Sequence, residues 1–112
     1  MAEATRALCR LSDIEDGEGK GFVLGEGSER WELVVIREGE RAFGYVNACP
    51  HVGTPLEMQP DRFMNADGSY ILCHTHGALF EIESGYCIAG PCAGQSLRPV
   101  GLRLAEGLVF LA

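Results

Sequence analysis

Cys49 and His51, in the stretch ACPHVGTPL, form a C-x-H pair, and Cys73 and His76, in LCHTHGALF, form a C-x-x-H pair. Thiolate and imidazole are the side chains that borderline and soft transition metals take most readily. In each pair a tight loop lets both side chains turn to one side. Two such loops set side by side present two sulfurs and two nitrogens. Zinc accepts that donor set, and so does an iron–sulfur cluster. Structural zinc sites usually pair their ligands as C-x-x-C and H-x-x-x-H. The chain order Cys, His, Cys, His suits a binuclear centre instead, in which each metal takes like ligands from both loops. Catalytic zinc keeps one position open for water, and here all four would be filled by protein. A lone cysteine is most often a small buried hydrophobe. Two ordered Cys–His pairs among glycine and proline turn residues point to a metal.

The elements that must position these loops read as short strands between glycine-centred turns. WELVVIR (Trp31 to Arg37), the turn Glu38-Gly39-Glu40 and RAFGYV (Arg41 to Val46) have the form of a hairpin. SYILC follows an Asp67-Gly68 turn signal, ALFEI precedes Ser84-Gly85, and SLRPVGLRL, Glu106-Gly107 and LVFLA read as a closing hairpin. ALCRL and GFVL are expected as first strands, and Pro55 to Arg62 has room for one helical turn. No segment sustains a helical period. The expected class is all-β, an antiparallel β-sandwich. Cys49 and His51 follow a strand end, whereas Cys73 and His76 lie between two strands of a hairpin. The middle of the chain, 48–92, therefore reads as a small metal-binding subdomain inserted in a base made of 1–47 and 93–112, within a single domain over 1–112.

Composition narrows the function. With 112 residues the chain has room for one core and none for a second catalytic domain. Sixteen acidic against nine basic residues give a net charge of −7. That excess disfavours nucleic acid and anionic membrane as partners, since both need a basic face. No apolar run approaches membrane-spanning length, and the first residues have no basic patch leading into an apolar stretch, so a cytoplasmic location is expected. Five cysteines are an odd set, which in a reducing compartment favours metal ligands plus free thiols over a disulfide framework. Cys87 and Cys92 flank IAGP and read as two buried thiols shaping a third loop. Cys9 reads as an inward strand residue and Trp31 as core.

CPHVGTPL and CHTHGALF, followed by SGYCIAGPC, resemble the Rieske [2Fe-2S] family, specifically the soluble Rieske-type ferredoxins. The likeness runs through the LSDIEDGEGKGF opening, the GYVNACPH lead-in, Gly90-Pro91 and the SLRPVGLRLAEGLVFL ending. It implies one [2Fe-2S] cluster with Cys49 and Cys73 on an inner iron and His51 and His76 on an outer iron near the surface, and Pro91 covering the cluster. It also implies a single-electron carrier between a reductase and an oxygenase-type enzyme, rather than an enzyme in its own right. The alternatives are a small subunit of a nitrite-reductase-like enzyme and a zinc-stabilised interaction module.

Two departures from the family pattern stand out. Twenty-one residues separate His51 from Cys73, a few more than usual, and the extra length falls in the polar EMQPDRFMNADGS. His74 stands where the family often has proline; C-x-x-H and the following Gly77 select His76, leaving His74 as a loop residue. In the respiratory members an extra cysteine on each loop forms a disulfide, and a serine and a tyrosine donate hydroxyl hydrogen bonds to the cluster. Here those positions are Thr54 and Thr75, and Ala78 and Phe80. One hydrogen bond to a charged group, at ~1.5–3 kcal/mol, corresponds to ~65–130 mV in a one-electron potential. Residues 48–92 also hold five acidic residues against one basic. Both features predict a low-potential centre.

Overall fold

A computed structural model describes residues 7–50, 55–56, 61–74 and 77–112. Ten short strands make three sheets, and every strand pairing among the described residues is antiparallel. The largest sheet has the order β2-β3-β4-β8, from β2 (Gly19–Leu24), β3 (Trp31–Glu38), β4 (Arg41–Val46) and β8 (Pro99–Val100). A second sheet joins β1 (Cys9–Arg10), β10 (Leu108–Leu111) and β9 (Leu102–Ala105) in the order β1-β10-β9. The third runs β5 (Ile71–Leu72), β6 (Leu79–Phe80) and β7 (Cys87–Ala89).

The run Leu33-Val34-Val35-Ile36 explains how these sheets stack. A strand solvated on one face alternates apolar and polar residues, whereas a continuous apolar run needs cover on both faces. All four side chains are fully buried. Leu33 and Val35 pack with Leu11, Ile14 and Val109. Val34 and Ile36 pack with Tyr45, Leu56, Phe63, Ile71 and Phe80, in the core that also holds Cys49 and Cys73. β3 is thus the wall shared by two hydrophobic cores. Burying such a side chain contributes ~1.5–3 kcal/mol.

The expected hairpins form with small shifts. β3 and β4 pair from Leu33↔Val46 to Glu38↔Arg41, so the connection is Gly39-Glu40. In the turn between β9 and β10, Glu106 and Gly107 take φ of 53° and 78°. Two left-handed residues in a two-residue connection are what the twist of a hairpin prefers. The run SLRPVGLRL does not stay one strand. Pro99 and Val100 pair with β4, and Leu102–Ala105 leaves for the other sheet. Proline lacks the N–H that a central strand needs, and β8 lies at the sheet edge. ALCRL shortens to Cys9–Arg10 because Leu11–Asp13 turns into a 3-10 helix. Cys87–Ala89, read as loop, is a strand. The helical turn expected within Pro55 to Arg62 lies largely outside the described residues.

Candidate metal centre

Three loops converge beside the shared wall. The first leaves β4 at Asn47, whose buried side-chain Oδ1 accepts the N–H of Leu56 at 2.8 Å. Leu56 in turn accepts the backbone N–H of His74 at 2.9 Å. This relay braces the first loop against the second. The second loop closes on itself, with Cys73 N–H donating to Ala78 O and Gly77 N–H donating to Cys73 O, at 2.9 and 2.8 Å. Gly77 sits at φ 75°, a left-handed conformation that glycine adopts without penalty. The third loop is held by Ala93 N–H to Gly90 O and Gln95 N–H to Cys92 O, at 3.2 and 2.9 Å.

Gly90 explains the close approach of the third loop to the second. It has φ 102°, and a Cβ there would stand 2.7 Å from the Ala78 Cα. Backbone meets backbone at that point, so neither a side chain nor a shift of a flexible tip would relieve the clash. Pro91 is exposed, and the buried member of the loop is Cys92.

Among the sequence-predicted ligands, Cys49 is 1% exposed and Cys73 fully buried, and both belong to one core cluster. His51 and His76 lie outside the described residues, as do Thr54 and Thr75. His74 is half-buried at the start of the second loop, with Nδ1 3.4 Å from the Leu56 carbonyl. Ala78 and Phe80 are fully buried and apolar. Cys87 and Cys92 are both buried with their sulfurs 3.2 Å apart, and the Cys87 thiol donates to the Ala89 carbonyl at 3.1 Å. The Cys92 thiol is pushed up to about 12 by burial first, then by Cys87 beside it, then by Cys49. Cys49, Cys87 and Cys92 share one core cluster. The spacing of SGYCIAGPC carries no sign of this shared burial, because it depends on how two loops meet.

Two struts tie this region to the largest sheet. Asp61 Oδ1 accepts Gly21 N–H at 2.9 Å and its other oxygen lies 3.8 Å from Lys20 Nζ. Tyr45, on β4, donates its hydroxyl hydrogen to Ile82 O at 2.6 Å, with Gly85 so close under the ring that a Cβ would stand 2.7 Å from it. Burial and then the Glu83 carboxylate push the Tyr45 phenol up to about 12. Arg41 pairs with Glu83 at 3.3 Å. Arg98 lines a recess of about 380 Å³ with Val46, Ala48, Cys49, Pro50 and Ser96. Among the described residues, two of the five carboxylates within 48–92, Asp61 and Glu83, are thus paired with cations from outside that segment, Lys20 and Arg41.

Antiparallel sheets thus bring two cysteines from separate loops, Cys49 and Cys73, into one buried core. The profile of the Rieske [2Fe-2S] domain matches residues 5–106, and the chain belongs to that family. Its cofactor is one [2Fe-2S] cluster. The donors fit that group, since two thiols are removed from water on adjoining loops and each is followed within three residues by a histidine. No curated protein matches the sequence. The ferredoxin of carbazole 1,9a-dioxygenase from Nocardioides aromaticivorans IC177 has a similar structure, with 21% identity, a TM-score of 0.74, and 96% of this chain and 95% of that one covered. A Sphingomonas yanoikuyae B1 ferredoxin matches with 24% identity, a TM-score of 0.69 and 95% of both chains. A chain in the complex of reduced oxygenase and oxidized ferredoxin in carbazole 1,9a-dioxygenase matches with 24% identity and a TM-score of 0.71, over 96% of this chain and all of that one. These likenesses establish the fold. Among the described residues no helix is long and apolar enough to cross a membrane.

Proposed function

We propose that this chain is a single-electron carrier that takes electrons from a reductase and delivers them to a terminal oxygenase-type enzyme, and that it is not itself the enzyme. The observation that carries this reading is the pair of buried thiols, Cys49 and Cys73, on braced loops of a Rieske domain that fills nearly the whole chain. A similar structure is of a ferredoxin in complex with its oxygenase, which supports the choice of partner. The site of action is the cytoplasm.

The ligands in this reading are Cys49 and Cys73 to the inner iron and His51 and His76 to the outer, with 48–92 as the cluster-binding unit and 1–47 and 93–112 as the base. The cluster, when bound, supplies reversible one-electron chemistry. The protein's part is to bury the sulfur ligands, hold the loops at fixed spacing through Asn47, Leu56 and His74, and leave the imidazoles as the port to a docked partner. His74 serves as a brace through its backbone and not as a ligand. Ala78 and Phe80 bring no hydroxyl to the site, which supports a potential toward the lower end of the family's ~−150 to +300 mV range. The charge argument for a low potential is weaker than the sequence count, because Lys20 and Arg41 sit on Asp61 and Glu83.

The test is reconstitution with the reductase and oxygenase encoded nearest to this chain. Electron carriage predicts that substrate-dependent oxygen uptake needs all three proteins and rises with the amount of this chain. Uptake that is unchanged when the chain is left out would contradict it.

A further inference from the structure

Cys87 and Cys92 are free, buried thiols that stand outside the predicted ligand set. Their sulfurs lie 3.2 Å apart, with the Cys92 S–H donating to Cys87 and the Cys87 S–H donating to the Ala89 carbonyl at 3.1 Å. We propose that the pair is a reversible modification site, a dithiol that a small two-electron oxidant such as hydrogen peroxide closes to a disulfide, tying the third loop to β7. The sequence gives these cysteines a role in shaping the loop; the contact between their sulfurs gives them a chemistry.

The geometry leaves little to do. A covalent bridge has an S–S length of ~2.05 Å, so the sulfurs need to approach by about 1.2 Å. Four residues separate the two positions, and the backbone already holds them as neighbours. Cys87 N–H donates to Gln95 O, Gly94 N–H to Cys87 O and Gln95 N–H to Cys92 O, at 2.8, 3.1 and 2.9 Å. Rotation about the two Cα–Cβ bonds covers the remaining gap with these bonds in place. Access comes through the same turn. Each thiol is only 1% exposed, yet Tyr86, Ile88, Gly90, Pro91, Ala93 and Gly94 around them are exposed, so the sulfurs lie one residue beneath the surface. Local opening of such a turn leaves the sheets intact. The thiolate is the reactive form of cysteine, and burial pushes the Cys92 thiol up to about 12. The closed loop is therefore slow to react, and oxidation belongs to the opened one.

The step balances with peroxide alone. One sulfur takes an oxygen as the O–O bond breaks, becoming a sulfenic acid with release of a first water. The other sulfur attacks it, the S–S bond forms, and the displaced hydroxyl leaves with the second thiol's proton as a second water. Two electrons pass from the two sulfurs to one peroxide. Exchange with a thiol reductant reverses the bridge.

The test treats the intact, metal-loaded protein with hydrogen peroxide, unfolds it in N-ethylmaleimide without reductant, and maps a tryptic digest, with bound metal measured alongside. The segment 63–98, which lies between Arg62 and Arg98, holds Cys73, Cys87 and Cys92. The expected product is this segment two hydrogens lighter, with Cys73 labelled and Cys87 and Cys92 unlabelled, formed while the metal is still bound. Dithiothreitol before labelling should restore both labels, and C87S and C92S should each yield no bridge. Cys87 and Cys92 still labelled after the metal has been lost, a bridge from either of them to Cys49 or Cys73, or a bridge that appears only once the metal has left, overturns the inference. If the serine variants do not fold, the wild-type map decides alone. The map does not depend on which metal the protein carries, so its outcome is separate from that of the electron-carrier reading.

Discussion

Tyr45→Phe isolates the strut that joins the shared sheet to the loop-bearing core. The substitution keeps the ring, which is buried over Gly85, and removes only the hydroxyl whose hydrogen reaches Ile82 O at 2.6 Å. Taking the donor from a buried carbonyl costs about 1–3 kcal/mol. For a domain of this size that corresponds to a Tm lower by roughly 4–12 °C. Urea unfolding is the assay, read by the single Trp31, which packs on the base core, and by the visible absorbance of the cluster. The same side chain sets a pH dependence. Burial and Glu83 raise the folded phenol to about 12, above its ordinary value near 10. The neutral phenol is what the fold favours, so its contribution is complete below about pH 10 and is lost as pH rises toward 12. The gap between wild type and Y45F should therefore narrow across that window. A Y45F protein within ~0.5 kcal/mol of wild type at neutral pH, or a gap that stays constant from pH 10 to 12, would refute the strut.

Other substitutions probe the loops directly. Asn47→Ala leaves the buried Leu56 N–H without its side-chain acceptor and should cost about 1–3 kcal/mol and speed cluster loss, while N47D, which keeps an acceptor, should lose much less; equal rates of bleaching would contradict the brace. Gly90→Ala drives a Cβ onto the Ala78 backbone at an unfavourable φ, with strain of roughly 1–3 kcal/mol, and should lower the iron content of purified protein. Lys20→Ala should change stability by less than ~1 kcal/mol, because a half-exposed ion pair at 3.8 Å contributes little, and a larger loss in urea unfolding would show that Asp61 depends on it.

Much of this fold was legible because β-branched runs and glycine turns state their pairing locally. WELVVIR and RAFGYV formed the hairpin their pattern implies, and Cys49 and Cys73 fell on converging loops as their spacing suggested. The unbroken LVVI run carried more than a hairpin, since four consecutive apolar residues need cover on both sides, and the second and third sheets supply one side each. What the sequence does not contain is contact between distant segments. Tyr45 meeting Ile82 and Asp61 reaching Gly21 are set by tertiary packing, with no local pattern at either end. The partners of Asp61 and Glu83 are hidden for the same reason, since Lys20 and Arg41 lie about forty residues away in the chain.

The electron paramagnetic resonance spectrum of the dithionite-reduced protein, purified without oxygen, tests the central claim most directly. The account predicts the signal of a binuclear cluster with mixed histidine and cysteine ligands, its average g value displaced below that of an all-thiolate cluster, and its loss in C49S and C73S. A colourless, silent protein loaded with zinc, or an all-thiolate signal, would contradict it.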